Sequence, residues 1–238
     1  MRLNTIVVLA TLGLAAVGTA QTIDAFDYRL ANIQVLQDKK VQADMGVTEA
    51  QRNRMNEFAK AFDQSATAYM EELKKEGKDP RTMPQPDPKV LGFMNKLKAG
   101  VLGELSPAQV RRLREVSLQR LGLIGILDPE VGKRAGVPTE TLKKMQAVYT
   151  QGRDAATKIQ RDTLEATLKP YRTVKPKDAA DQDRLQNEVR GKMQAANLKI
   201  RPTVKKIEED TQKKLLALLT TKQRDTYVNM QGKPVRGK

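Results

Sequence analysis

The spacing of apolar residues along the chain predicts long amphipathic helices. Apolar residues recur every three or four positions, which places them on one helix face, in three stretches. The first comprises Met55, Ala59, Phe62, Ala66, Tyr69 and Leu73, and the second comprises Leu142, Met145, Tyr149, Gly152, Ala156, Ile159, Thr163 and Ala166. The third comprises Leu185, Val189, Met193, Ala196, Ile200, Val204, Ile207, Thr211, Leu215 and Leu218. No alternating run of strand length occurs, so the pattern predicts an all-α fold.

The third stretch and the prolines indicate how these helices are arranged. Its apolar positions repeat every eleven residues, close to the period of a straight α-helix, and they keep their phase across Pro202. We therefore expect a kink at Pro202 and no chain reversal. Four prolines within residues 80–88 predict an extended loop, with a shorter helix from about Lys89. A last helix of about 50 Å favours elongated helical hairpins, or a cradle, over a thick globule.

Two stretches ninety residues apart resemble each other and indicate an internal duplication. Aligned on Gly46 and Gly136, Asp38 faces Asp128, and each block opens a long helical pattern. The sequence therefore predicts two tandem related helical units, residues 36–120 and 126–231, packed about a pseudo-two-fold axis. An N-terminal segment, residues 21–35, precedes them, and a basic disordered tail, residues 232–238, follows.

The first twenty residues have the layout of a secretory signal peptide. Arg2 precedes an apolar run at residues 6–16, and the small residues Gly18 and Ala20 precede a plausible cleavage site before Gln21. The apolar run is too short to span a bilayer, which takes about 20 residues, and no later segment reaches that length. We therefore expect a periplasmic or secreted protein whose mature chain has no transmembrane segment.

Composition restricts the classes of function further. The net charge is +15, and cleavage would remove only Arg2 and leave +14, which favours anionic partners. The chain has neither His nor Cys, which excludes the common catalytic triads and thiol nucleophiles and leaves only carboxylates as ligands for a transition metal. The densest acidic cluster, residues 208–210, lies among lysines, so paired helix-surface charges account for it better. No phosphate-binding loop occurs. We expect no enzyme activity, cofactor or metal site, and with 4% aromatic residues no nucleic-acid binding.

Three short motifs share the features of a helix capping box. In each, a Ser or Thr caps the first helical turn, a Gln three residues later reaches back to the cap, and an apolar residue precedes it. The motif residues are Val47, Thr48 and Gln51; Leu105, Ser106 and Gln109; Leu219, Thr220 and Gln223. A fourth site is degenerate, with Pro138 and Thr141 in place of Thr and Gln. Single capping boxes are common, so a purely structural role is the competing interpretation.

Three such motifs in an exported helical chain without cysteine resemble the LTxxQ-motif family of periplasmic proteins, the Spy/CpxP type. The likeness is best in LSPAQVRRL from Leu105 and LTTKQR from Leu219, followed by VTEAQR from Val47. The resemblance implies a helical cradle formed by a dimer, which acts as an ATP-independent chaperone or an envelope-stress sensor. This chain is longer and duplicated, so one chain is hypothesised to supply what the dimer supplies, and a homodimer is the alternative.

Two hypotheses for the function remain at this point. The first is a chaperone-like or stress-related interaction protein that holds unfolded or acidic proteins. The second is a structural envelope component that binds anionic lipid or polysaccharide without clients. Most basic clusters have acids nearby, as ordinary solvated helix faces do. The candidate anion or client contacts are Arg111, Arg112, Arg114, Lys143 and Lys144.

Overall fold

A computed structural model of the chain describes residues 22–79 and 87–235, which contain nine α-helices and no strand. The helices are α1 Ala25–Leu30, α2 Lys39–Asp44, α3 Glu49–Lys75, α4 Pro88–Gly103, α5 Pro107–Leu121, α6 Pro129–Arg134, α7 Thr139–Leu168, α8 Ala179–Ala217 and α9 Thr221–Met230. Three 3-10 helices lie at Ile33–Gln37, Gly122–Leu127 and Lys169–Tyr171. The predicted all-α class is confirmed. The predicted signal peptide and residues 80–86 of the predicted loop lie outside the described residues.

The long helices pair as two hairpins, α3 with α4 and α7 with α8. All ten apolar positions predicted for the last helix are buried or half-buried, because this stripe packs on α7. Helix α8 runs through Pro202 without a chain reversal, as expected, and its 39 residues span about 58 Å. Within the described ranges, no helix combines the length and apolarity needed to cross a bilayer.

The fully buried side chains concentrate at the base of the two hairpins. One cluster includes Leu102, Val110 and Leu113, and a second includes Met145 and Leu215. The remaining buried members come from the short helices and helix ends: Ala31, Leu36, Val41, Met45, Val47, Met55, Val101, Leu105 and Val116 in the first cluster, and Phe26, Leu118, Ile126, Leu127, Val131, Ala135, Val137, Leu142, Leu219 and Tyr227 in the second. Only the first two turns of α7 and the last turn of α8 contribute buried residues to the second cluster. The rest of that hairpin is an arm two helices thick.

Among the described residues, one order of elements occurs twice: a 3-10 helix, a short helix, two long helices and a capped helix. The second copy has an additional 3-10 helix, Lys169–Tyr171, between its long helices. Each short helix ends at a glycine with positive φ, +63° at Gly46 and +74° at Gly136, a conformation that favours glycine. The N–H of Val47 donates to the carbonyl of Gln42, and that of Val137 donates to the carbonyl of Gly132, both at 2.9 Å. The tandem relationship of the two units stays a prediction.

The N-terminal segment and part of the C-terminal tail belong to the packed base. Phe26 of α1 is buried in the second cluster. Val235 packs against the first cluster, and Gln119 Nε2 donates to the carbonyl of Lys233 at 2.7 Å. The prediction of a disordered tail from residue 232 is therefore wrong for residues 232–235, because backbone and apolar contacts with the base fix them. Residues 236–238 lie outside the described residues.

Two arginine–aspartate pairs cross between the repeated elements. Arg29 of α1 forms a two-pronged contact with Asp128, with Nη2 and Oδ1 2.8 Å apart. Arg120 of α5 contacts Asp38. Asp38 caps α2 and Asp128 caps α6. Arg29, which precedes α2, therefore pairs with the cap of α6, and Arg120, which precedes α6, pairs with the cap of α2. A pseudo-two-fold arrangement, which stays a prediction, would relate these two contacts to each other.

The Arg29–Asp128 pair predicts an acid-sensitive contribution to stability. The hydrogen bond from Arg29 holds the pKa of the Asp128 carboxyl below its ordinary value of 3.8. A carboxylate with a lowered pKa in the folded state stabilises above its unfolded pKa, and this contribution is lost as the pH falls through the folded value. We expect Asp128→Asn to be less stable than the wild type at pH 7, with the gap narrowing below about pH 4.

Urea unfolding followed by circular dichroism at pH 7, 4 and 2.5 measures this gap. The control is Asp63→Asn, at an exposed aspartate on α3, which should stay close to the wild type at every pH. A gap for Asp128→Asn that is unchanged or wider at pH 2.5 would contradict the expected role of the ion pair.

Candidate functional site

All three predicted capping boxes form in the structure. At the start of α3, the Thr48 hydroxyl accepts from Gln51 N at 3.2 Å, and Gln51 Oε1 accepts from Thr48 N at 3.0 Å. The same pair of bonds joins Ser106 with Gln109 and Thr220 with Gln223. The preceding apolar residues are all buried: Val47, Leu105 and Leu219. The motifs therefore fix where three helices begin and anchor those starts in the core.

In the first half of the chain, two of these motifs are also cross-linked through their glutamines. Gln51 Nε2 donates to Gln109 Oε1 at 2.9 Å, and Gln109 Nε2 donates back to Gln51 Oε1 at 3.2 Å. Gln51 further donates to the carbonyl of Glu104 at 2.7 Å. Gln109 is 3.3 Å from each of the carbonyls of Met45 and Gly46. We call this reciprocal pair, Gln51 with Gln109, the glutamine clamp.

The second half carries a reduced form of the same contact. Gln223 Nε2 donates to the carbonyl of Gly136 at 2.8 Å, just as Gln109 reaches Gly46. Thr141 stands where Gln51 stands in the first half, and α7 begins after Pro138 without a side-chain cap. The amide cross-link therefore belongs to the first half. The sequence predicted the caps but not the link, whose only signal was a Gln at the same position of both motifs.

Two of the predicted basic contacts already have acidic partners within the fold. Arg114 is 9% exposed, and its guanidinium binds Asp27 Oδ1 at 3.0 Å and the carbonyl of Met230, so little of it is accessible to a client. Arg112 binds Asp44 Oδ2 at 2.6 Å and Glu115 Oε2 at 2.9 Å, but it is half-buried and lines an open groove beside Lys39 and Lys40. The assignment of these arginines as client contacts stays a prediction.

The other three predicted contacts are exposed but separate. Arg111 lies on α5, with its Nε 3.7 Å from Asp27 Oδ2. Lys143 and Lys144 lie on α7, and Lys143 Nζ binds Glu140 Oε1 at 2.9 Å. The assignment of these three residues as anion or client contacts stays a prediction.

The structure shows an open apolar groove that the sequence did not indicate. It lies between the 3-10 helix Gly122–Leu127 and the base of the α7–α8 arm, with a volume of about 510 Å³. Its apolar lining includes Leu121, Ile124, Tyr149, Ala156 and Ile207. Leu121 is 50% exposed and Ile124 is 42% exposed, so two large aliphatic side chains face water at the groove. We call it the base groove.

The matching 3-10 helix of the first half has no large apolar residue at the position of Ile124. In the register set by Asp38 with Asp128, Ile33 is matched by Leu123, and both side chains are half-buried against their core clusters. The two halves therefore differ one residue later, where the exposed Ile124 is matched by an exposed Gln34.

The chemistry of the described residues gives no sign of a metal centre. No group of three or more acidic, His or Cys side chains within them is arranged to hold a metal ion. Comparison of the chain with protein-family models, curated proteins and solved structures gives no match. The resemblance to the LTxxQ-motif family stays a hypothesis carried by the three motifs, and the absence of enzyme activity stays a prediction.

The glutamine clamp predicts unequal effects of two equivalent substitutions. Gln109→Ala removes the amide pair, the bond to Ser106 N and the contacts with Met45 and Gly46. We expect it to lower the free energy of unfolding by about 2–3 kcal/mol, because several part-buried polar groups lose their partners. Gln223→Ala removes one cap and one carbonyl contact, so about 1 kcal/mol is expected. Urea unfolding at pH 7 measures both, and equal losses would contradict the clamp.

Proposed function

We propose that this protein is an exported, ATP-independent binding protein that holds unfolded, acidic polypeptide segments. The base groove is the observation that carries this proposal. It presents exposed Leu121 and Ile124 to solvent, and a client that buried them would gain about 25 cal/mol for each Å² of apolar surface removed from water.

The shape of the groove suits a short segment of an unfolded chain. Its volume, about 510 Å³, lies within the range of sites that enclose small ligands or a few side chains. It opens directly to solvent, so an extended segment can enter and leave without a conformational cycle. Holding a client in this way requires no nucleotide, which agrees with the lack of a phosphate-binding loop in the sequence.

Charge favours acidic clients. The groove is lined by one basic and one acidic residue, Arg153 and Glu208, and Arg153 Nη2 binds Asp154 Oδ1 at 2.9 Å. The preference for acidic clients therefore rests on the net charge of the whole chain, +15. A positive protein attracts negatively charged chains over roughly one Debye length, about 10 Å at 0.1 M salt. Export, predicted from residues 1–20, and the resemblance of the three motifs to the LTxxQ-motif family support the same proposal.

The experiment is an aggregation assay with an acidic client, reduced α-lactalbumin, followed by light scattering. The wild-type protein is expected to slow aggregation at low salt and less strongly at 0.5 M salt. Leu121→Ser with Ile124→Ser should weaken this suppression at least fivefold, because the apolar part of the base groove is lost.

The matched control is Leu91→Ser with Val228→Ser, two exposed aliphatic residues on α4 and α9 that do not line the base groove. It should suppress aggregation as the wild type does. The proposal fails if the wild type leaves aggregation unchanged, or if both double variants lose suppression equally while their circular dichroism spectra match the wild type.

A further inference from the structure

The side of α8 turned away from α7 carries a long cationic surface. Residues 189–207 include six basic residues and no acidic one. The buried stripe of the same stretch faces α7, and the basic residues flank the opposite side in two rows: Arg190, Arg201 and Lys205 in one row, Lys192, Lys199 and Lys206 in the other. All six are exposed, and a seven-residue spacing keeps the three lysines of the second row in line. We call this surface the outer face of α8.

The charges of the outer face are largely unneutralised. Of its six basic residues, Lys205 alone forms an ion pair with a described residue, Glu209, at 3.6 Å. The acids in the corresponding part of α7 are bound elsewhere. Asp162 binds Lys158 at 2.5 Å, and Glu165 lies 3.6 Å from Arg172. Acidic residues of α8 bound the stretch, Glu188 at one end and Glu208, Glu209 and Asp210 at the other, so the positive charge without ion-pair partners lies between them.

The centre of the outer face is uncharged and partly apolar. Between the two rows lie Gly191, Ala195, Leu198 and Pro202. Leu198 is 66% exposed, the most exposed of the large hydrophobic residues described. A shallow groove beside it, about 940 Å³, is lined by Gln160, Gln194, Arg201 and Lys205 among others, with Glu208 at one end.

We propose that the outer face of α8 binds the surface of an anionic lipid bilayer. The two basic rows contact lipid phosphates, and Leu198 enters the boundary between headgroups and acyl chains. From residue 190 to residue 206 the helix rises about 24 Å, which is long enough to lie along a membrane plane. Lysine and arginine stems cover the apolar centre while their charged ends reach the phosphates.

A bilayer fits this surface better than a soluble polyanion does. A polysaccharide or nucleic acid would use the basic rows but would leave Leu198 in water, whereas a bilayer uses both. The binding is chiefly electrostatic, because a single leucine gives little apolar anchorage. Each basic residue near an anionic leaflet contributes on the order of a fivefold gain in affinity. This site is separate from the base groove and requires no client protein.

The experiment is sedimentation of the full chain with vesicles of phosphatidylglycerol and phosphatidylcholine, compared with vesicles of phosphatidylcholine alone. The wild type should bind the anionic vesicles only. The triple variant Lys192→Gln, Lys199→Gln, Lys206→Gln should bind them on the order of a hundredfold more weakly. A matched control, Lys74→Gln, Lys75→Gln, Lys96→Gln, removes three exposed charges from the first hairpin and should lose less than tenfold.

Leu198→Gln separates a bilayer from a soluble polyanion. It should weaken binding to vesicles several-fold and leave binding to heparin unchanged. The proposal is overturned if the wild type ignores anionic vesicles, if the two triple variants lose affinity equally, or if Leu198→Gln leaves vesicle binding intact, which would point to a polyanion site. Matching circular dichroism spectra exclude misfolding as the cause of a loss, and none of these outcomes bears on the client assay.

Discussion

The narrowness of the apolar stripes is the constraint on which the rest of the structure depends. A helix with one stripe can bury one face only, and with few aromatic residues in the chain that face is thin. The long helices therefore pair as hairpins and do not gather into a thick bundle. Their ends meet the short helices at the base, where Met145 and Leu215 are almost completely buried. Both proposed binding surfaces are faces that this arrangement leaves in water.

Polar contacts at the base fix how the helices are oriented relative to one another, which the small apolar core does not do alone. Arg114 lies beneath the ring of Phe26, with its Cζ 5.6 Å from the ring centroid, and it joins Asp27 to the carbonyl of Met230. One buried guanidinium thus ties together α1, α5 and the end of α9. The buried guanidinium charge is tolerated because Asp27 and the carbonyl of Met230 both bind it. Removing Asp27 would leave an unpaired buried charge and would strongly destabilise the fold.

Local features of this fold could be predicted from the sequence, and features that depend on distant residues could not. Helix ends such as Thr48 and Ser106, and the run of α8 through Pro202, follow from interactions within a few residues. The roles of Arg112 and Arg114 could not be predicted, because their partners Asp44 and Asp27 lie 68 and 87 positions away. The sequence therefore predicted an exposed cluster of arginines, whereas Arg114 is buried and joins α1 to the end of α9.

The base groove and the docking of residues 232–235 on the base could not be predicted from the sequence either, for a related reason. Leu123 and Ile124 are adjacent apolar residues, and only the packing of the surrounding helices decides that Leu123 is half-buried and Ile124 is exposed. Likewise, nothing local to Val235 shows that it docks on the base. The composition of a segment predicts its solvation when it is isolated, but not whether a neighbouring surface is available to receive it.

Helix α5 serves both halves of the molecule at once. Val110, Leu113 and Val116 belong to the first cluster, whereas Leu118, two residues after Val116, belongs to the second. A division at residue 121 would consequently leave two incomplete parts: a fragment ending there would expose Leu118 on α5, and one starting at residue 122 would lack that side chain in its core. We therefore expect the two halves to fold together, because both cores are completed by side chains of α5.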